Sequence, residues 1–293
     1  MQGTVDGFSY GLVTPVVAFL MACLGAALGL SCTVRSLRAR GPARAGWLSL
    51  GATSLGSGIW TMHFVAMLGF TVQETPVGYD RVLTFAGLGV AVVMAGLGIF
   101  VVGYRGATRM ALVTGGTLTG LGMASMHYLG MAGVLFEGQF AYDTLTVALS
   151  VVIAVVAATA ALWAAVSVRG FLAGLGASLV MSAAVSGMHY TGMAALHVHV
   201  ERAAVAATGE TPSALLLPML VGPCCFLLLA GVVVVIDPLV VTGGRHPDAQ
   251  GDRRNGGGVP PGAVRPVSPA PVQGRRGPYE TASHGGYRPP RNH

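Results

Sequence analysis

Residues 188–193 read Met188-His189-Tyr190-Thr191-Gly192-Met193, and two earlier segments share the form: Met62-His63-Phe64-Val65-Ala66-Met67 and Met126-His127-Tyr128-Leu129-Gly130-Met131. The pattern is M-H-[FY]-x-x-M. Successive histidines stand 64 and then 62 residues apart, the length of a two-helix hairpin with its loops. Each copy therefore returns in the same orientation, as parallel internal repeats do. Small residues precede every copy (Gly56, Ser57 and Gly58; Gly120, Gly122 and Ser125; Ser182, Ser186 and Gly187), and they let neighbouring helix backbones come close.

Every copy lies toward the end of a long apolar run. Crossing about 30 Å of hydrocarbon takes about 20 helical residues, and seven such runs are present: 12–34, 46–70, 82–102, 110–136, 144–166, 170–196 and 214–236. The expected fold is all-α, a polytopic membrane protein with seven transmembrane helices, the repeats making three two-helix pseudo-repeats. Composition agrees. The 293 residues are 53% hydrophobic and 10% charged, against about a quarter charged in a soluble domain, so an ordinary water-facing surface is excluded. Only Asp6, and no basic residue, precedes the first run, which argues against a cleaved signal peptide.

Arginine is enriched in short cytoplasmic loops. Arg35, Arg38, Arg40 and Arg44 follow the first run, Arg105 and Arg109 the third, and Arg169 the fifth; the alternate loops hold Glu74, Asp80, Glu137, Asp143, Glu201 and Glu210, with Arg81 and Arg202. This predicts an outside N-terminus and a cytoplasmic C-terminus for a multi-pass protein of the cell membrane. The membrane domain is expected over 1–242. Residues 243–293, with stretches such as RRNGGGVPPGAVRPVSPAP, lack the apolar residues to build a core and read as a disordered cytoplasmic tail. Eight of its residues are arginine, which accounts for most of the +6 net charge; they can skim the anionic inner leaflet. The helices are left nearly neutral, with no basic groove, so nucleic-acid binding is excluded. Cys23, Cys32, Cys224 and Cys225 all lie in apolar runs and read as buried small hydrophobes rather than as a disulfide framework or soft metal ligands.

The second, fourth and sixth runs all point outward, so His63, His127 and His189 share one level, roughly 10 to 12 Å below the outer boundary. On a helix the methionine four positions after a histidine lies about 40° from it, and the one just before it about 100° away. Imidazole and thioether together favour copper, Cu(I) above all, over Mg, Ca or Mn. The candidate metal ligands are the three histidines first, then Met67, Met131 and Met193, with Met62, Met126 and Met188. A lone methionine stripe is more often packing than ligation, but a histidine inside a membrane needs a partner and marks function by default. His197 and His199, at the outer end of the sixth run, read as interfacial side chains rather than metal receivers, and Glu74, Glu137 and Glu201 as solvated loop charges.

At these residues the chain resembles the bacterial MHYT-domain family, named for a repeated Met-His-Tyr-Thr motif in a seven-helix membrane domain. The resemblance covers about 8–241. It implies a sensor in which Met62, His63, Met126, His127, Met188 and His189 bind copper, with oxygen, carbon monoxide or nitric oxide as the signal. Only the third copy has the full Met188-His189-Tyr190-Thr191, so the tyrosine and threonine read as packing or interfacial groups, not ligands. Many family members join the domain to cyclic-dinucleotide or kinase domains; here a separate cytoplasmic signalling protein is the expected reader. Two rival readings use the same residues: a metal or proton conduit, and a haem protein with two axial histidines. No nucleophile with a paired base, acidic pair or phosphate-cradling loop beside a strand appears, and the chain reads as a non-enzyme.

Overall fold

The computed structural model describes residues 2–7, 9–167, 170–200 and 212–236. The expected tail and the loop charges Glu201 and Glu210 lie outside the described residues. In chain order the elements are β1 (Val5–Asp6), α1 (Val13–Arg38), α2 (Pro42–Met67), β2 (Thr71–Val72), β3 (Gly78–Tyr79), α3 (Arg81–Arg105), α4 (Arg109–Ala132), β4 (Val134–Leu135), β5 (Gly138–Tyr142), α5 (Thr144–Ser167), α6 (Phe171–Ala194), β6 (Leu196–Val200) and α7 (Pro212–Ile236). The architecture is all-α and polytopic. α1, α3, α5, α6 and α7 each contain a stretch long and apolar enough to cross a membrane.

α2 and α4 are equally long, and their lower apolarity has a structural reason. Every α2 residue from Ser54 to Met67 is buried. A helix walled by other helices does not have to present hydrocarbon to lipid, so serine, threonine, glycine and histidine are tolerated where they find partners. Thr61, for example, donates its hydroxyl to the Ser57 carbonyl at 2.8 Å.

Six helices form a closed ring. α1 packs on α2, α3 on α4 and α5 on α6 within the repeats; α2 on α3, α4 on α5 and α6 back on α1 join them. α7 covers α2 and α1 from outside the ring. Close approach needs glycine: a Cβ on Gly25 of α1 would lie 2.5 Å from the Gly58 Cα of α2. The tight connections inside the repeats turn at Gly41, Gly106 and Gly170, with φ of 57°, 74° and 111°.

The repeat is richer than the sequence predicted. Each is strand–helix–helix–strand, closed antiparallel on itself: β1 pairs with β2, β3 with β4 and β5 with β6. These strands end the helices early, at Met67, Ala132 and Ala194 rather than Phe70, Phe136 and Leu196. The histidines therefore stand four or five residues from their helix ends, about 6 to 8 Å at 1.5 Å per residue, nearer to those ends than the expected helix bounds put them. Asp80 and Asp143 cap the next helices by accepting from Leu83 N and Thr146 N, both at 2.8 Å. Burial of the adjoining Tyr142, outside the helices, pushes its phenol up to about 12.

Glu74 is more than a solvated loop charge. Its two carboxylate oxygens accept from Thr4 N at 2.9 Å, and this hydrogen bond holds its carboxyl below the usual range. With Gly3 N donating to Val198 O and Gln73 N to Thr4 O, the N-terminal segment is strapped across the strand-bearing end.

Candidate metal centre

α2, α4 and α6 deliver the three motif histidines to one point. The Nδ1 atoms of His63, His127 and His189 form a triangle with sides of 3.1, 3.2 and 3.2 Å. The rings stand almost perpendicular, with centroids 5.0 to 5.1 Å apart, and all three are buried. The residue after each histidine supports it edge to face: Phe64 at 4.7 Å, Tyr128 at 4.8 Å and Tyr190 at 4.9 Å between centroids. Tyr128 donates its hydroxyl to Ser150 Oγ at 2.8 Å, while Ser150 donates onward to Val147 O. Phe64 lacks a hydroxyl and needs no such partner.

Hydrogen bonding alone cannot satisfy this triangle. A neutral imidazole has one N–H and one lone pair, so each Nδ1 either donates or accepts. Three atoms in mutual contact form an odd ring, and at least one contact must set donor against donor or acceptor against acceptor. The mismatch disappears when all three Nδ1 atoms accept toward one central cation. A triangle of these dimensions places each nitrogen about 1.8 Å from its centre, close to the usual imidazole–metal distance of about 2.0 Å, so His63, His127 and His189 would be the residues to hold such an ion. The donor set fits a small transition-metal ion. Among the described residues the cluster contains no carboxylate, which argues against a hard cation.

The outer edges of the rings use the fifth motif position, read above only as x. His63 Nε2 packs on Gly130, where a Cβ would come within 2.6 Å, and His127 Nε2 on Gly192, where it would come within 2.5 Å. Neither Nε2 has a hydrogen-bond partner. A small residue stands there in all three copies (Ala66, Gly130, Gly192); that was the signal for these ring seats.

The methionines divide. Met62, Met126 and Met188 are fully buried beside the histidines, and Met126 lies over Gly87 of α3. Met67 and Met193 line a cavity with His189. Met131 is buried in the core. His197 and His199 project outward from β6, opposite Ala141 and Gln139 of β5, apart from the triad. Cys224 Sγ lies 3.9 Å from Met21 Sδ, packed among apolar side chains.

A family model described as the bacterial signalling protein N-terminal repeat, MHYT, matches residues 56–115 and 120–178. These two matches contain His63 and His127. The bifunctional diguanylate cyclase/cyclic di-GMP phosphodiesterase MucR of Pseudomonas aeruginosa is 38% identical over 192 residues, 64% of this chain and 28% of that protein. The cyclic di-GMP phosphodiesterase NbdA of the same bacterium is 34% identical over 212 residues, 68% and 27% respectively. The signaling protein YkoW of Bacillus subtilis is 30% identical over 203 residues, 67% and 25%. The chain thus spans about a quarter of the length of these curated relatives. No solved structure matches.

Proposed function

Because the membrane region of this chain belongs to the MHYT family of bacterial signalling proteins, we propose that it is the sensor domain of a signalling system and holds copper at the His63–His127–His189 triangle. The observation that carries this reading is the odd ring of converging Nδ1 atoms, whose polarity mismatch one cation removes. Imidazole with thioether nearby favours copper among candidate ions. Copper held by these three histidines would supply a binding site for a diatomic signal such as oxygen, carbon monoxide or nitric oxide. The protein orients three lone pairs and excludes water from them.

The sensor lies in the bacterial cytoplasmic membrane with seven spans, the strand-bearing end outside. The domain itself is no enzyme; its output is read by a cytoplasmic signalling protein. Two relatives are named for cyclic di-GMP chemistry, so turnover of that nucleotide is the first output to assay. Haem fits this triangle less well, since a macrocycle between two axial histidines would have to pass between nitrogens 3.1 to 3.2 Å apart.

The test is metal content. Purified protein supplied with Cu(I) is expected to retain one copper per chain, and each of His63→Ala, His127→Ala and His189→Ala to lose it. Copper kept by all three variants, or a Soret band in the parent, overturns the reading.

A further inference from the structure

The three seams of the histidine ring are unlike. Two are closed, with the Nε2 edges of His63 and His127 seated against the bare backbones of Gly130 and Gly192. At the third, Ala66 stands at the matching position on α2, and a Cβ is already present where the other two seams have none. Here a cavity of about 300 Å³ runs between α2 and α6, and His189, Ala66, Met67, Met193 and Val5 are among its walls. Of the three methionines four positions after a histidine, two border this space. Their counterpart Met131, on α4 at a closed seam, is not among the residues of this wall.

We propose that this cavity is the port by which Cu(I) enters the ring, with the Met67 and Met193 thioethers as transit ligands and His189 as the receiving imidazole. The proposal rests on the copper reading above. No carboxylate or cationic side chain lines the cavity among the described residues. Such a wall offers no negative charge to hold a hydrated divalent ion, whereas thioethers are suited to a soft monovalent one. Val5 and Gly7 place the port under the N-terminal strap, at the strand-bearing end and close to the triangle.

Metal-free protein comprising residues 1–293 in detergent, mixed with the coloured Cu(I)–bicinchoninate complex, reports both the rate and the extent of transfer. Leucine conserves methionine's volume and removes its sulfur. The Met67→Leu/Met193→Leu variant is expected to reach the parent's final copper content at least about tenfold more slowly, and Met131→Leu to load at the parent rate. Either of two results overturns the port: the double variant loads as fast as the parent, or it loads at the parent's initial rate to a lower final content, which makes the two sulfurs resident ligands. A parent that takes up no Cu(I) overturns the copper reading and the port together, and is distinguished by that missing uptake. Circular dichroism and melting of each variant establish that the fold is retained.

Discussion

His127 is constrained by both ends of its ring. Its Nδ1 meets two other Nδ1 atoms, and its Nε2 faces the Gly192 backbone. The inner constraint makes an unusual prediction about stability. In metal-free protein one contact of the odd ring is always mismatched, and an unmade buried hydrogen bond costs about 1–3 kcal/mol. Glutamine offers both a donor and an acceptor, so His127→Gln can satisfy all three groups. The metal-free variant is expected to melt at or above the parent temperature although copper is lost; a drop of several degrees in metal-free melting would count against a frustrated triangle. The outer constraint acts in the ordinary direction. Gly192→Ala drives a methyl into the His127 ring and is expected to cost about 1–3 kcal/mol, as overpacking does, and to lower copper content; Ala66→Gly should leave copper content intact. Melting with metal analysis checks both. The convergence of the histidines was legible from their spacing. The ring seats were not, because helix periodicity says which way a residue points and not which neighbouring backbone it meets.

Among the elements, the helices were readable because about twenty apolar residues leave few alternatives, and their inner ends are marked by arginine and a turn glycine. The outer ends were misplaced by two to four residues. Gly69, Phe70 and their counterparts are as apolar as the helix they follow, and strands of two residues such as β2 and β3 are too short to show an alternating pattern. The strap across these strands carries a pH dependence. Thr4 N holds the Glu74 carboxyl below its ordinary value. A depressed folded value means that the contribution is present above the unfolded value and is lost as pH falls through the folded one. The pairing of β1 is therefore expected to loosen on acidification. Amide exchange at Val5 and Gln73, compared between parent and Glu74→Gln at matched pH, should show faster exchange in the variant at neutral pH and no difference once the parent carboxylate is protonated. A difference that persists in acid would show that Glu74 acts by packing rather than charge.

At the scale of the whole molecule, three copies of one strand–helix–helix–strand unit close into a ring, and charge is sorted by end, with Arg81 at the start of α3 as an exception. Arg35 and Arg38 lie in the last turn of α1 and Arg105 in that of α3. Asp80 and Asp143 stand at the opposite end, capping α3 and α5, near the strands, the port and the histidine triangle. Positive charge is retained on the cytoplasmic side, so the membrane should hold this ring with the triangle toward the exterior. Ala107 and Glu137 are both exposed, one beside the Gly106 turn and the other between β4 and β5. In a background with Cys23, Cys32, Cys224 and Cys225 replaced, Glu137→Cys is expected to react with a membrane-impermeant maleimide on intact cells, and Ala107→Cys only after the membrane is opened. The reverse labelling would put the port and the triangle at the cytoplasmic face, where copper delivery and the sensing of an external ligand through this seam would both fail. Labelling of both sites on intact cells would mean that the helices between them do not cross the bilayer, and the closed ring could then not be a membrane-spanning unit.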